Sequence, residues 1–185
     1  MRALVLFPIL TVCLAACATL PATQTTPFLP PSVFGINQDN GIGAINQSAW
    51  AFASPARTSG NPVEAAKAVV ALEYLSGELK ENPRWIAMDS SVKQRMALAR
   101  DELRQILGIR PDAPPQVVVN TLLALNLDLQ TGNQPAAMQV LASPMFTLPP
   151  ERTLQILSNL PYVQQANLAT SRAESQSFPP GDRRG

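Results

Sequence analysis

The chain has 185 residues, with 14 basic and 13 acidic side chains, two cysteines and no histidine. A net charge of +1 supplies no strong field for nucleic acid or an acidic surface, and the lack of histidine removes the commonest general base and the commonest zinc or copper ligand. Eighteen prolines against 5% aromatic residues point away from strands and towards helices with proline-marked starts.

Met1 and Arg2 are followed by an apolar run over residues 3–12, interrupted by Pro8. This is the layout of an export signal; the run falls short of the roughly 20 apolar residues that span a bilayer. Directly behind it stand Leu14, Ala15, Ala16 and Cys17. The stretch resembles the lipobox of bacterial lipoproteins, in which a branched apolar residue and two small ones precede a cysteine. The resemblance covers residues 1–17 only. It implies that the chain is cut after Ala16 and that Cys17 carries a diacylglycerol thioether, with its new amino group usually acylated. It also implies an envelope location; Ala18, where an aspartate resembles an inner-membrane retention signal, favours the outer membrane, facing the periplasm. The alternative is ordinary cleavage at the small-x-small site Ala16-Cys17-Ala18. Under the lipoprotein cut Cys13 leaves with the signal, so the mature chain has one cysteine, at its first position, and no internal disulfide.

Residues 17–35 carry four prolines and no charged side chain after Cys17 and read as a Pro/Thr-rich tether. At about 3.1 Å per residue in polyproline geometry it spans up to roughly 55 Å. The remainder, residues 36–173, has room for a single domain.

In that domain a first helix is expected over residues 43–54, weakened at its start by Gly41 and Gly43 and ended by Pro55, with Trp50 at the edge of the core. Asn61-Pro62-Val63-Glu64 is a complete helix start, with an Asx cap, proline at the first position and glutamate at the third. Ala65, Ala68, Leu72, Leu75 and Leu79 then form an apolar stripe ending near Lys80. Asn82-Pro83 repeats the punctuation. A longer helix follows over residues 89–107, closed by Gly108, with Val92, Met96, Ala99, Leu103, Ile106 and Leu107 on one face. Lys93, Arg100 and Arg104 fall within about 40° of arc beside that face. They are expected to form a solvated basic stripe, able to meet lipid phosphates or an acidic partner.

The most apolar segment, residues 116–132, is expected to be the central helix, covered on several sides by Val118, Leu122, Leu125 and Leu129 together with Val119, Leu123 and Leu127. Asn120, Asn126 and Asp128 argue against a membrane span. Thr131-Gly132-Asn133 turns the chain into a short helix with Ala137, Met138 and Leu141, which makes an αα-hairpin. Its second half loosely resembles one tetratricopeptide repeat in Gly132, Ala137, Leu141 and Pro149, but Ala124-Leu125, Asp128 and Pro144 depart from the pattern. No copy stands 34 residues earlier, where a solenoid needs repetition. Helices opened by Pro149-Pro150-Glu151 and by Tyr162 complete the domain, and residues 174–185 are expected to be a disordered tail.

The expected fold is therefore all-α, a compact bundle of about six or seven helices. Catalytic motifs are missing: Gly41-Ile42-Gly43 lacks a third glycine and a preceding strand, and no histidine stands ready to activate Ser90 or Ser91. The carboxylate pairs Glu73/Glu78 and Asp101/Glu102 are placed on solvent faces of helices. No enzyme activity, metal or cofactor is expected. The first functional expectation is a membrane-anchored adaptor or assembly-accessory protein that works by contact with an envelope protein, not with nucleic acid. The second is a carrier for an apolar ligand between helices. An adaptor leaves an exposed patch, a carrier a closed cavity.

Overall fold

A computed structural model describes residues 26–177. Seven helices occupy them: α1 Asn40–Phe52, α2 Pro62–Glu81, α3 Ser90–Leu107, α4 Pro115–Gln130, α5 Gln134–Leu141, α6 Pro150–Ser158 and α7 Gln164–Ser177. Short 3₁₀ turns at Pro55–Arg57 and Pro83–Trp85 join α1 to α2 and α2 to α3. The fold is all-helical, as the sequence pattern requires; the described residues contain no strand, and none of their helices is long and apolar enough to cross a membrane. Cys17 lies outside the described residues, as do the rest of the expected signal and the first part of the expected tether, residues 1–25.

Helices α1, α2, α3 and α7 form an up-down-up-down ring in which α2 packs on α1 and α3, and α7 closes the ring against both. The α4–α5 hairpin lies on the outer side of α2, and α6 bridges α2, α3 and α5. The hairpin turn is fixed by Asn133, whose side-chain oxygen accepts from the Ala136 amide at 3.3 Å.

The central helix is α2, not α4. Thirteen of the twenty α2 residues are buried against five of the sixteen in α4. The cause is side-chain size: the alanines of α2 admit neighbours on all sides, whereas Val117 and Leu127 of α4 face outward, 46% and 61% exposed. Leu122 and Leu125 still belong to the core, with no exposed surface.

Three boundaries differ from expectation. Helix α1 starts at Asn40, because the Asp39 side chain caps it by accepting from the Ile42 amide at 3.0 Å. Gly41, which reads as a weakness, makes room: a side chain there would collide with the Arg84 guanidinium. The tether expected over residues 17–35 does not include residues 26–35, which lie along the bundle. Thr26 donates to Glu81 through its hydroxyl at 2.6 Å, the Phe28 amide donates to Gln116 at 2.7 Å, and Leu29 is buried in the core. At the other end α7 runs four residues past Ala173, so only residues 178–185 of the expected tail lie outside the described part.

The helix stops are well signalled. Gly108 takes a left-handed conformation, φ 67°, and ends α3 with its amide bonded to the Arg104 and Gln105 carbonyls. The residues beyond it are held by α5–α6: the Arg110 amide donates to the Met145 carbonyl and the Thr147 amide to that of Gly108.

Candidate functional site

The basic row of α3 divides along its length. Arg104 is not solvated; it is 4% exposed and forms a two-pronged ion pair with Glu73 of α2, Nε to Oε1 at 2.7 Å and Nη2 to Oε2 at 2.8 Å. Its Nη1 donates to the Pro111 and Ala113 carbonyls at 3.2 and 2.9 Å, so one guanidinium ties α3 to α2 and pins the chain that leads into α4. Burial pushes the Glu73 carboxyl above its usual range, against the opposing pull of Arg104, while pairing with Glu73 outweighs burial in raising Arg104. A charge pair in this setting costs desolvation on both sides and stands only because its lone pairs and protons are matched.

Arg100 is half-buried. Its Nε and Nη2 donate to Asp101 at 2.9 and 2.8 Å, and Nη1 reaches the Ser76 hydroxyl at 3.4 Å. Of the three residues, Lys93 alone lines an open groove, about 520 Å³ in volume, bounded by Lys80, Ser90, Gln94, Ala97, Leu98 and Asp101. Leu98 is 58% exposed at the middle of α3. The structure thus replaces a three-residue stripe with a mixed apolar and charged groove, in which Leu98 is the residue that sequence reasoning missed. Its position off the buried face of α3 was the available signal.

Glu73 and Glu78 are not on a solvent face: both are buried, 1% and 6% exposed. Glu78 Oε1 accepts from Asn82 Nδ2 at 2.9 Å and Trp85 Nε1 at 3.1 Å, and lies 3.2 Å from Arg84 Nη2. Arg84 in turn grips Asp39 through both prongs, at 3.1 and 2.9 Å, and covers the Trp85 ring at 4.5 Å. This cluster joins the start of α1 to the end of α2. The Arg84 guanidinium holds the Asp39 carboxyl below its usual range, and burial, followed by the nearby Glu78 charge, pushes the Tyr74 phenol well above its own.

Trp50 is 39% exposed, with the Arg57 guanidinium over its ring at 5.6 Å. It is a partly covered edge residue. Of the valines and leucines expected to surround an apolar ligand, Val118, Val119, Leu122 and Leu125 are fully buried in the core, whereas Val117 and Leu127 face outward.

Comparison of the chain with protein-family models, with curated proteins and with solved structures finds no match.

Proposed function

We propose that this protein is an envelope lipoprotein, anchored through Cys17, whose helical domain acts as an adaptor for a protein partner. The location follows from the conjunction of Arg2, a short apolar run and the four residues Leu14, Ala15, Ala16 and Cys17. What carries the adaptor reading is the groove on α3: an exposed Leu98 in a groove lined also by Lys80, Lys93 and an Asp101 that is paired with Arg100. Leu98 differs from other exposed leucines in lying within a groove beside two lysines, and that combination suits a helix or loop carrying one apolar anchor and an acidic neighbour. The protein reads as a docking module and not an enzyme, since its buried carboxylates are matched by fixed donors and its hydroxyls have no histidine to activate them. Val118, Val119, Leu122 and Leu125 are closed into the core, so the part of α4 available to an apolar ligand is reduced to outward-facing side chains such as Val117 and Leu127.

The test is site-specific photo-cross-linking of the lipoprotein in its own membrane. A reactive group at Leu98 is expected to give one discrete adduct that Lys93→Glu abolishes. The same group at Leu127, similarly exposed on α4, is expected to give none. Equal or absent adducts at both positions contradict the docking site.

A further inference from the structure

The three most exposed large apolar side chains of the described residues, Ile36 at 87%, Ile86 at 84% and Phe28 at 74%, come from two separate stretches of the chain that meet at one end of the bundle. The Arg84–Asp39 pair brings the loop of Ile86 against the loop of Ile36. Asn40 then donates to the Leu29 and Pro30 carbonyls at 3.2 Å, which draws Phe28 to the same region. Left-handed conformations at Ser32, φ 66°, and Asn37, φ 59°, turn the chain on either side of Ile36, which faces outward while Val33 and Phe34 pack against the core. This is the end from which the chain leaves for Cys17, because Thr26 is fastened to Glu81 at the last residue of α2.

We infer that this end of the bundle, through Ile36 and Ile86 with Phe28 beside them, rests on the lipid bilayer. The inference rests on the proposed lipid anchor at Cys17. Nine residues, 17–25, separate the anchor from the packed chain, so the reach is about 30 Å, close to half of what an eighteen-residue tether allows. A 20-residue helix such as α2 is itself about 30 Å long, so the domain is held within roughly its own length of the membrane, with its apolar end nearest the anchor. The local charges do not oppose contact with a zwitterionic surface: Arg84 is paired with Asp39, and Lys80 and Glu81 adjoin. Branched apolar side chains entering the headgroup boundary bury surface that otherwise faces water, and they add to the acyl chains without requiring anionic lipid.

The experiment uses the mature lipoprotein purified from membranes and reconstituted in vesicles of zwitterionic phospholipid. Single cysteines introduced as Ile36→Cys, Ile86→Cys and Leu127→Cys carry a spin label, since Cys17 is acylated and Cys13 leaves with the signal. Position 127 is the control because it lies at the opposite end, where Asn126 bonds the Val63 carbonyl at the start of α2. All three sites are exposed, so the fold tolerates the label. Labels at 36 and 86 are expected to be shielded several-fold from a water-soluble nickel reagent and opened to oxygen, relative to 127, at low and high salt alike. Equal nickel access at the three sites, or shielding at 127 instead, overturns the inference. Mass spectrometry of the N-terminal peptide separates the two claims: an acylated Cys17 with water-exposed labels refutes only the resting face, whereas an unmodified Cys17 refutes the anchor and this inference with it.

Discussion

Two arginine–carboxylate pairs in this protein share one geometry and differ in nearly everything else. Arg104 with Glu73 and Arg84 with Asp39 are each joined through two parallel contacts between 2.7 and 3.1 Å. In the first pair the side chains are 5% and 1% exposed, in the second 38% and 52%. Burial, not bond length, decides what each does. The interior pair sits where either partner alone is a stranded charge, so it locks α2, α3 and the lead into α4 in one arrangement. The outer pair works in water, where pairing gains little, and its role is to hold two loops together at the end that presents Ile36 and Ile86.

The largest effect is expected where that contrast is sharpest. Arg104→Ala leaves the Glu73 carboxyl without its partner in a closed core and is expected to cost about 3 to 5 kcal/mol in urea unfolding. Replacing both partners with apolar groups of similar volume, Glu73→Leu with Arg104→Met, is expected to restore most of that loss, because it removes the desolvation cost together with the attraction. A mild Arg104→Ala effect breaks the comparison. At the outer pair, Asp39→Asn is expected to cost roughly 0.2 to 1 kcal/mol at neutral pH. Its sign with pH is fixed. The folded carboxyl lies below 3.8, so its contribution is present above that value and is lost as the pH falls through the folded pKa. The gap between native protein and variant in acid-titrated stability is therefore expected to close with falling pH and to be steady above about pH 5. Lys93, whose surroundings are the open groove, sets the lower limit. Lys93→Glu is expected to change stability by no more than about 0.5 kcal/mol while removing the Leu98 adduct.

These differences also show what is legible in the sequence. The helix start at Asn61-Pro62, the stop at Gly108 and the row Val92, Met96, Ala99, Leu103 and Leu107 of α3 follow from local chemistry and are found; Asn82-Pro83 opens a 3₁₀ turn, and Ile106 is only partly buried. Arg104 was misread because its angle beside the apolar face suits either a solvated flank or a reach into the neighbouring helix, and its partner lies 31 residues away. The usable signal was on the other side. Glu73 stands among Val69, Val70, Ala71, Leu72 and Leu75, in a helix apolar nearly all round, and a carboxylate so placed calls for a cation. The rank of α2 over α4 was hidden for a related reason: hydrophobicity marks α4, but alanine, which scores modestly, is what lets a helix be surrounded. The packing of residues 26–35 was not legible, since it depends on Glu81 and Gln116, distant side chains that no local pattern connects to a proline-rich stretch.

The contrast between a locked interior and an open, apolar-tipped end has functional meaning only if the chain is tied to a membrane beyond Thr26. The most direct measurement is metabolic labelling of the native protein and of Cys17→Ser with a palmitate analogue, read together with the mass of the processed chain. The native protein is expected to be labelled and to begin at Cys17, and two or three acyl chains at about 0.8 kcal/mol per buried CH₂ hold it on the membrane without release. Cys17→Ser is expected to take up no label and to remain uncut after Ala16 or to appear as a soluble exported form. A Cys17→Ser protein that is still labelled, still processed and still sediments with membranes contradicts the account.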